Sequence, residues 1–381
     1  FGSSHFGLRY EPAPATRQAF WQMRGQAWIS KALWRRAGAA ASVPAPGTRR
    51  PHAASRRCYS DIAECVGSDV FSADGYPVCD ASSAPRLAFA AACMPHPEKA
   101  KSRGEDSYFA CSRSFTFGVA DGVGGWAEAG VDAGAFARGL LRHTHARICG
   151  HAAGVRADLQ AALWEASRVL AAENVQGGST ALLGQLHGGH ISFLNLGDSG
   201  AIVLRPALRS PPRSDKPLLF PCVVFRSSDQ THYFNCPYQL GSSGPPTELP
   251  DLVSVRVRTG DLVIVATDGV FDNVFDHQVQ ALVARHLGGA WLSREPVGPQ
   301  LQALATSIAE RAQSIGRQED DKDVITPFAL SAHSEGLTFR GGKLDDTTVV
   351  VALVCNHDDD LAAKPAGRDE AADGLPMLHN F

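Results

Sequence analysis

Apolar residues recur along this chain in two different periods, and the switches between them mark out its elements. "YFACSRSFTFGVAD", residues 108–121, holds two short apolar runs around a polar turn, which predicts two strands, the second ending at Asp121. Residues 133–148 and 157–173 carry apolar residues at helical spacing, Phe136, Leu140 and Leu141 among them, and predict two helices. Residues 179–205 read as a meander whose first turn is "HGGH", 187–190. "DLVIVATDG" and "TTVVVALV" are continuous apolar runs and predict buried strands, with helices at 276–287 and 298–315 between them.

The strands and helices come in blocks and do not alternate strictly. This order predicts an α+β fold with antiparallel sheets and helices packed outside them, against a doubly wound parallel sheet. Two segments stand apart as insertions: 206–228, basic and proline-rich, reads as a surface excursion, and 318–343 as a long loop before the strand at 347.

Composition adjusts this picture at the ends. With 381 residues, 44% of them hydrophobic, and a net charge of -3, the chain has material for a sizeable core and lacks the basic balance of a nucleic-acid-binding protein. No apolar run has the length of a membrane span. Nine cysteines, none spaced as C-x-x-C, suggest neither a zinc site nor a disulfide framework, and point to a reducing compartment.

Residues 1–60 hold arginine, alanine and serine with almost no acid, the composition of an organellar transit peptide. Arg17, Arg24 and Lys31 repeat every seven residues, and "SRRCYS" at 55–60 resembles a matrix-presequence cleavage site. The expectation is import into mitochondria, the matrix in particular, through the organellar import machinery. A plastid is the alternative, and a basic tail on a cytosolic protein is the plainer reading. Residues 61–86 read as a poorly structured lead-in, 87–356 as the folded domain and 357–381 as a disordered acidic tail.

The candidate chemistry lies in carboxylates at the ends of apolar runs. Glu105 and Asp106 precede one strand and Asp121 ends the next; Asp198 sits at a hairpin, Asp268 ends "LVIVATDG", and Asp345 with Asp346 opens "LDDTTVVV". Each acid alone is an ordinary turn or cap residue. If the strands lie side by side, the acids converge on one rim, where hard oxygen ligands suit Mg²⁺ or Mn²⁺.

In order and context, "GEDS", "VADGVGGW", "GGSTAL", "NLGDSG", "VATDGVFDN" and "DDTTVVV" resemble the motifs of the metal-dependent serine/threonine phosphatases, the PPM or type 2C class, over residues 100–355. "THYFNCPYQL", "TPFA" and "RGGKLDDTTV" are similar in particular to the mitochondrial branch called T-cell-activation-type or coenzyme-Q-linked phosphatases. The resemblance implies a four-layer α-β-β-α sandwich of two antiparallel sheets flanked by helices. It implies a catalytic site in which Asp121 bridges two ions of Mn²⁺ or Mg²⁺, with Glu105 and the Gly122 carbonyl on one side and Asp268 and Asp345 on the other. Asp106 would hold metal-bound waters, and Asp198 with Asp268 a weaker third ion, although Asp198 reads equally as a hairpin turn. The implied reaction is hydrolysis of phosphoserine or phosphothreonine in proteins by a hydroxide bridging the two ions.

Two positions depart from the broad class. An arginine four residues before the first metal acid is replaced by Lys101, with Arg103 two before it; either is a candidate for the substrate phosphate, lysine as a point charge. The usual histidine after the Asp-Gly pair is Val123, which leaves the leaving-group acid unassigned. Asp272, four residues beyond Asp268, stands at the wrong spacing for a covalent aspartyl-phosphate mechanism and reads as a turn or helix-start residue. A partner-binding pseudophosphatase and a small-molecule phosphatase are the competing functions.

Overall fold

The structure is a computed structural model, and it describes residues 85–149, 155–209, 218–242, 248–292, 297–355 and 377–380. These all fall within the unit Val43–Phe381. The segment read as a transit peptide, 1–60, lies outside the described residues, as does nearly all of the lead-in.

The elements run, in chain order, β1 (Arg86–Met94), β2 (Asp106–Cys111), β3 (Thr116–Asp121), α1 (Ala133–Cys149), α2 (Leu159–Ala172), β4 (Gly178–Ser179), β5 (Ala181–His187), β6 (His190–Leu196) and β7 (Gly200–Arg209). They continue with β8 (Leu218–Arg226), β9 (Thr231–Tyr233), β10 (Cys236–Pro237), β11 (Leu240–Gly241), β12 (Asp251–Arg256), β13 (Leu262–Ala266) and α3 (Asp268–Phe271). Then come α4 (Asp276–Leu287), α5 (Gly298–Gly316), α6 (Pro327–Ser334), β14 (Thr347–Cys355) and β15 (Met377–His379). One antiparallel sheet has the order β1-β14-β13-β7-β8 and the other β12-β6-β5-β3-β2-β15.

The side-chain alternation of the strands explains why four layers form. In β13, Val263 and Val265 enter the core between the sheets, whereas Leu262, Ile264 and Ala266 face the opposite way into the core shared with α4 and α5. β14 divides its residues likewise, with Val350, Ala352 and Val354 inward and Val349, Val351 and Leu353 toward the helices. A strand buried on both faces has no place for polar alternation, hence its unbroken apolar run. The second sheet repeats the scheme: Phe117, Val119, Leu182 and Leu186 meet the first sheet, and Ala120, Ala181 and Leu183 meet Phe136, Leu140 and Leu163 of α1 and α2. The observed arrangement is the expected α-β-β-α sandwich.

The helices begin where the chain offers caps. Asp158 accepts a hydrogen bond from the Ala161 amide at 2.9 Å ahead of α2, and Thr326 accepts one from Ala329 at 3.1 Å ahead of α6, which starts on Pro327.

Three sequence readings need correction. The excursion at 206–228 is for the most part an arm of the first sheet: β7 and β8 pair antiparallel from Ile202↔Arg226 to Arg209↔Leu218. Its prolines mislead because β8 is an edge strand, where a missing amide donor breaks no ladder, and Pro206 lies opposite Pro221. The loop at 318–343 contains α6. The tail at 357–381, read as disordered, supplies β15, which pairs with β2 as Met377↔Cys111, Leu378↔Ala110 and His379↔Phe109.

Asn380 secures that last strand, since its Oδ1 accepts from the Tyr108 amide at 2.8 Å and from Ser107 Oγ at 3.2 Å. Asn380→Ala is expected to cost about 1–3 kcal/mol, the usual penalty for leaving a backbone donor without its partner. Urea denaturation checks this, and an unchanged midpoint would show that the tail contributes nothing.

Candidate active site

The ladders bring the predicted acids to one rim of the sandwich. Asp106 at the start of β2 stands directly opposite Asp121 at the end of β3. In the facing sheet, Ala266 at the end of β13 pairs with Gly200, two residues past Asp198, and with Val349, close to the start of β14. Asp268 and Asp345 therefore emerge beside Asp198, across the sandwich from Asp106 and Asp121. Thr267 joins the two sheets at this point by donating its Oγ1 proton to Asp106 Oδ2 at 2.8 Å.

Several backbone contacts fix these positions. Thr180 Oγ1 accepts from the Asp121 amide at 3.1 Å, and Ser179 Oγ donates to the Asp121 carbonyl at 2.8 Å. Gly122 donates to the Glu105 carbonyl at 3.1 Å, and a Cβ there would lie 2.5 Å from the Ala133 carbonyl oxygen. At Gly269 a Cβ would fall 2.0 Å from the Asp346 carbonyl oxygen. Asp121-Gly122 and Asp268-Gly269 are thus places where backbone passes against backbone, and only glycine fits.

Asp346 is a structural carboxylate: its Oδ1 accepts from the His96 amide at 2.5 Å and its Oδ2 from the Glu105 amide at 2.8 Å. It ties the strand opening "LDDTTVVV" to the segment that presents Glu105.

Two lysines that the sequence reading did not single out stand among the rim acids. Lys101 and Arg103 are exposed on a 3-10 turn, Pro97–Ser102, and its cap. Lys99 enters the cluster, with its Nζ bonded to Glu105 Oε2 and 3.7 Å from both Asp345 and Asp346. Lys343 is the second cation, donating at 2.6 Å to both Asp268 Oδ2 and Asp272 Oδ2 and lying 3.8 Å from Asp345. Asp272, read as a turn residue, is thereby part of the cluster. Lysine at 99 is chemically unmarked in the sequence, and its proximity to Asp346 spans 247 positions.

Crowding and burial set the protonation of these groups. Burial, and after it the charge of Asp268, pushes Asp121 well above the usual carboxylate range, and burial followed by Asp346 does the same to Asp106. Asp198 and Asp345 are raised by burial and then by Asp268 or its neighbours. Burial raises Asp272 to about 7. Asp268 is the exception: burial opposes its ionisation, but the charge and hydrogen bond of Lys343 outweigh burial and hold it below the ordinary value. For Lys343 and Lys99 burial favours the neutral amine, and the surrounding carboxylates overcome it and raise both.

The donor set fits a hard divalent cation. It consists of carboxylate and carbonyl oxygens, and two buried oxygens, Asp106 Oδ1 and Asp198 Oδ1, have no hydrogen-bond partner. The acids are arranged around two ammonium groups and do not close on a common point; among the described residues the only trio of ligating atoms within 4.8 Å of one another is Cys111, His145 and Cys149. The rim holds more carboxyl groups than the two lysines can pair with.

No family model matches the chain. Among curated proteins, it is 37% identical over 270 residues to the probable protein phosphatase 2C 55 of Arabidopsis thaliana, an overlap of 68% of this chain and 50% of that one. To the probable protein phosphatase 2C 26 of the same plant it is 33% identical over 276 residues, covering 68% of this chain and 81% of the relative. The X-ray structure of the photosystem II phosphatase PBCP superposes with a TM-score of 0.56 and 29% identity, across 70% of this chain and 98% of that one. The chain spans 50% to 59% of the length of the first three curated relatives. The mixed-layer fold, the strand-end acids and an overlap with four-fifths of a 33% identical relative agree: the chain belongs to the protein phosphatase 2C family.

Proposed function

We propose that the protein is a metal-dependent serine/threonine phosphatase that hydrolyses phosphate monoesters on protein side chains. The observation that carries this reading is the convergence of Glu105, Asp106, Asp121, Asp198, Asp268 and Asp345 on one rim, with two buried oxygens lacking partners. In this reading Asp121, Glu105, the Gly122 carbonyl, Asp268 and Asp345, with Asp198 more weakly, are the oxygens that would hold Mn²⁺ or Mg²⁺. When bound, such cations lower the pKa of water toward neutrality and offset the charge of the phosphoryl oxygens.

The chain's own residues supply position and charge. Thr267 holds Asp106 in place, and Thr180 and Ser179 hold the Asp121 backbone. Lys99, whose Nζ reaches Glu105, Asp345 and Asp346, joins Lys101 and Arg103 as a candidate cation for the substrate phosphate. Valine at 123 offers no proton, so the leaving alkoxide is not protonated from that position.

The test is release of phosphate from a phosphothreonine peptide, with and without Mn²⁺. Activity that appears with Mn²⁺ and vanishes in EDTA is expected; equal activity in EDTA, or no turnover with metal bound, would overturn the reading in favour of a metal-free or pseudophosphatase function.

The proposed setting is an organelle, on the composition of residues 1–60. The mitochondrial matrix is the first reading, with the coenzyme-Q-linked branch as its context; the plant relatives and the photosystem II phosphatase support a plastid as the second. A fluorescent fusion carrying residues 1–60 is expected to enter one of the two, and a diffuse cytosolic signal would remove both.

A further inference from the structure

Far from the acidic rim, the end of β2 and the last residue of α1 bring two sulfurs together. Cys149 Sγ donates to Cys111 Sγ at 2.9 Å, and Ser114 Oγ lies 3.3 Å from Cys149 Sγ. His145, one turn before Cys149, completes a trio whose ligating atoms all lie within 4.8 Å of one another, and its ring packs 5.2 Å from that of Phe109. Cys111 is fully buried, whereas Cys149 is partly exposed.

Two chemistries suit such a trio, and the sulfur separation distinguishes them. Two thiolates on a tetrahedral zinc ion with Zn–S of about 2.3 Å stand roughly 3.8 Å apart. At 2.9 Å the sulfurs are already inside that separation, and closing to a disulfide of about 2.04 Å requires roughly 0.9 Å, within reach of small side-chain rotations. We propose that Cys111 and Cys149 form an oxidisable dithiol pair, which a hydroperoxide converts to a disulfide that staples β2 to the C-terminal end of α1.

The step balances as two thiols plus one hydroperoxide. The hydrogen bond to Cys111, and after it burial, hold the proton on Cys149, so the step begins as Cys149, the sulfur within reach of solvent, passes that proton to Cys111 and attacks the peroxide oxygen; the O–O bond breaks, Cys149 becomes a sulfenic acid, and with hydrogen peroxide the leaving hydroxide takes the proton back from Cys111 to form water. Cys111 then attacks the Cys149 sulfur, the S–S bond forms, and the sulfenic oxygen leaves as a second water. The sulfur pair loses two electrons and the peroxide gains two. Cys111 suits the second role: the hydrogen bond from Cys149 outweighs burial and, with a further bond from His145, lowers its thiol toward the thiolate. Cys93, beside Thr348 and Asn380, is instead pushed up to about 12 by burial and by Asp106.

The experiment is peroxide treatment of the reduced full chain, followed by non-reducing peptide mapping, zinc analysis and thermal melting. A Cys111–Cys149 linked peptide, formed before any link or oxidation at Cys93 or Cys236 and reversed by dithiothreitol, is the expected result, with the melting midpoint raised by several degrees on loop closure. Cys149→Ser, at the partly exposed position, is expected to keep the reduced protein's melting midpoint and lose the linked peptide; Cys111→Ser is the second variant. Oxidation of Cys149 to sulfinic or sulfonic acid with Cys111 unlinked would overturn the proposal, and so would stoichiometric zinc on the reduced protein that Cys149→Ser abolishes.

Discussion

Asp121→Asn and Asp268→Asn are each expected to lower phosphatase activity at saturating Mn²⁺ by at least about a hundredfold, while leaving the fold intact. Both changes keep side-chain volume and remove a negative charge. The charge matters because, in the proposed reading, the rim would hold cations that polarise water and the phosphoryl group, a contribution worth several kcal/mol of barrier, and about 1.4 kcal/mol is a factor of ten in rate. Asp121 is crowded by other acids, with Asp268, Asp106, Asp345 and Asp198 all raising its affinity for protons. A group that strains to stay charged without a cation is the one on which cation binding depends most. Asp268 differs, since Lys343 already keeps it ionised, and it is therefore the acid that presents a full negative charge at neutral pH. Lys101→Ala serves as the comparison: an exposed residue on the turn, it is expected to leave kcat and KM within about twofold, whereas Lys99→Ala is expected to raise KM. Single-turnover and steady-state assays on a phosphopeptide check the set. Retention of activity in Asp121→Asn with bound Mn²⁺ would move the centre of the site away from the β3 rim.

How much of this was legible in the sequence depends on what each residue contacts. β13 and β14 were visible as apolar runs because both of their faces are buried, and α1, α2, α4 and α5 because one stripe of each meets a sheet. The rim acids were visible because each stands where such a run stops. The edges of the sheets were not. β8 tolerates prolines, and β12 exposes Leu252 and Val253, so neither carries a period that a core would impose. β15 is three residues long, and its partner β2 lies more than 260 positions earlier, so pairing with β2 and the Asn380 bonds stabilise it, while its own composition adds little.

Side chains that meet across long sequence intervals were equally hidden. Lys343 was passed over within a long loop, yet α6 and the Glu319↔Gly341 bridge shape that segment so that its amine reaches Asp268 and Asp272. Cys111 and Cys149 are 38 positions apart in two different elements, and the absence of a C-x-x-C spacing says nothing about a pair made by strand-to-helix packing. Lys99 was hidden for the same reason: on the 3-10 turn Pro97–Ser102 Lys101 is exposed, whereas Lys99, two residues earlier, reaches Glu105, Asp345 and Asp346.

Freed of divalent metal, the protein is expected to lose stability as pH rises from about 4 to about 7, and Mn²⁺ is expected to restore it. The sign follows from where protons sit. Asp106, Asp121, Asp198 and Asp345 have folded pKa values raised above the ordinary carboxylate value, and Asp272 is raised to about 7. Between the unfolded value of 3.8 and each raised value, the native state keeps protons that the unfolded chain has released, so raising pH favours unfolding. Asp272, raised by about three pH units, contributes on the order of 4 kcal/mol across that window, since each unit is worth about 1.4 kcal/mol. Asp268 works in the other direction, but its lowered value places its contribution below pH 3.8, outside the window. Lys343 and Lys99 are raised above 10.5, so their stabilising charge is complete throughout and is lost only in strong alkali. A cation at the rim removes the reason for the carboxylates to hold protons, and the slope with pH should flatten. Thermal melts at pH 4.5, 5.5, 6.5 and 7.5, in EDTA and in Mn²⁺, measure both slopes. A metal-free midpoint that climbs steadily from pH 4.5 to 7.5 would mean that the acids are better solvated than their burial implies, and that the rim does not depend on a cation for its stability.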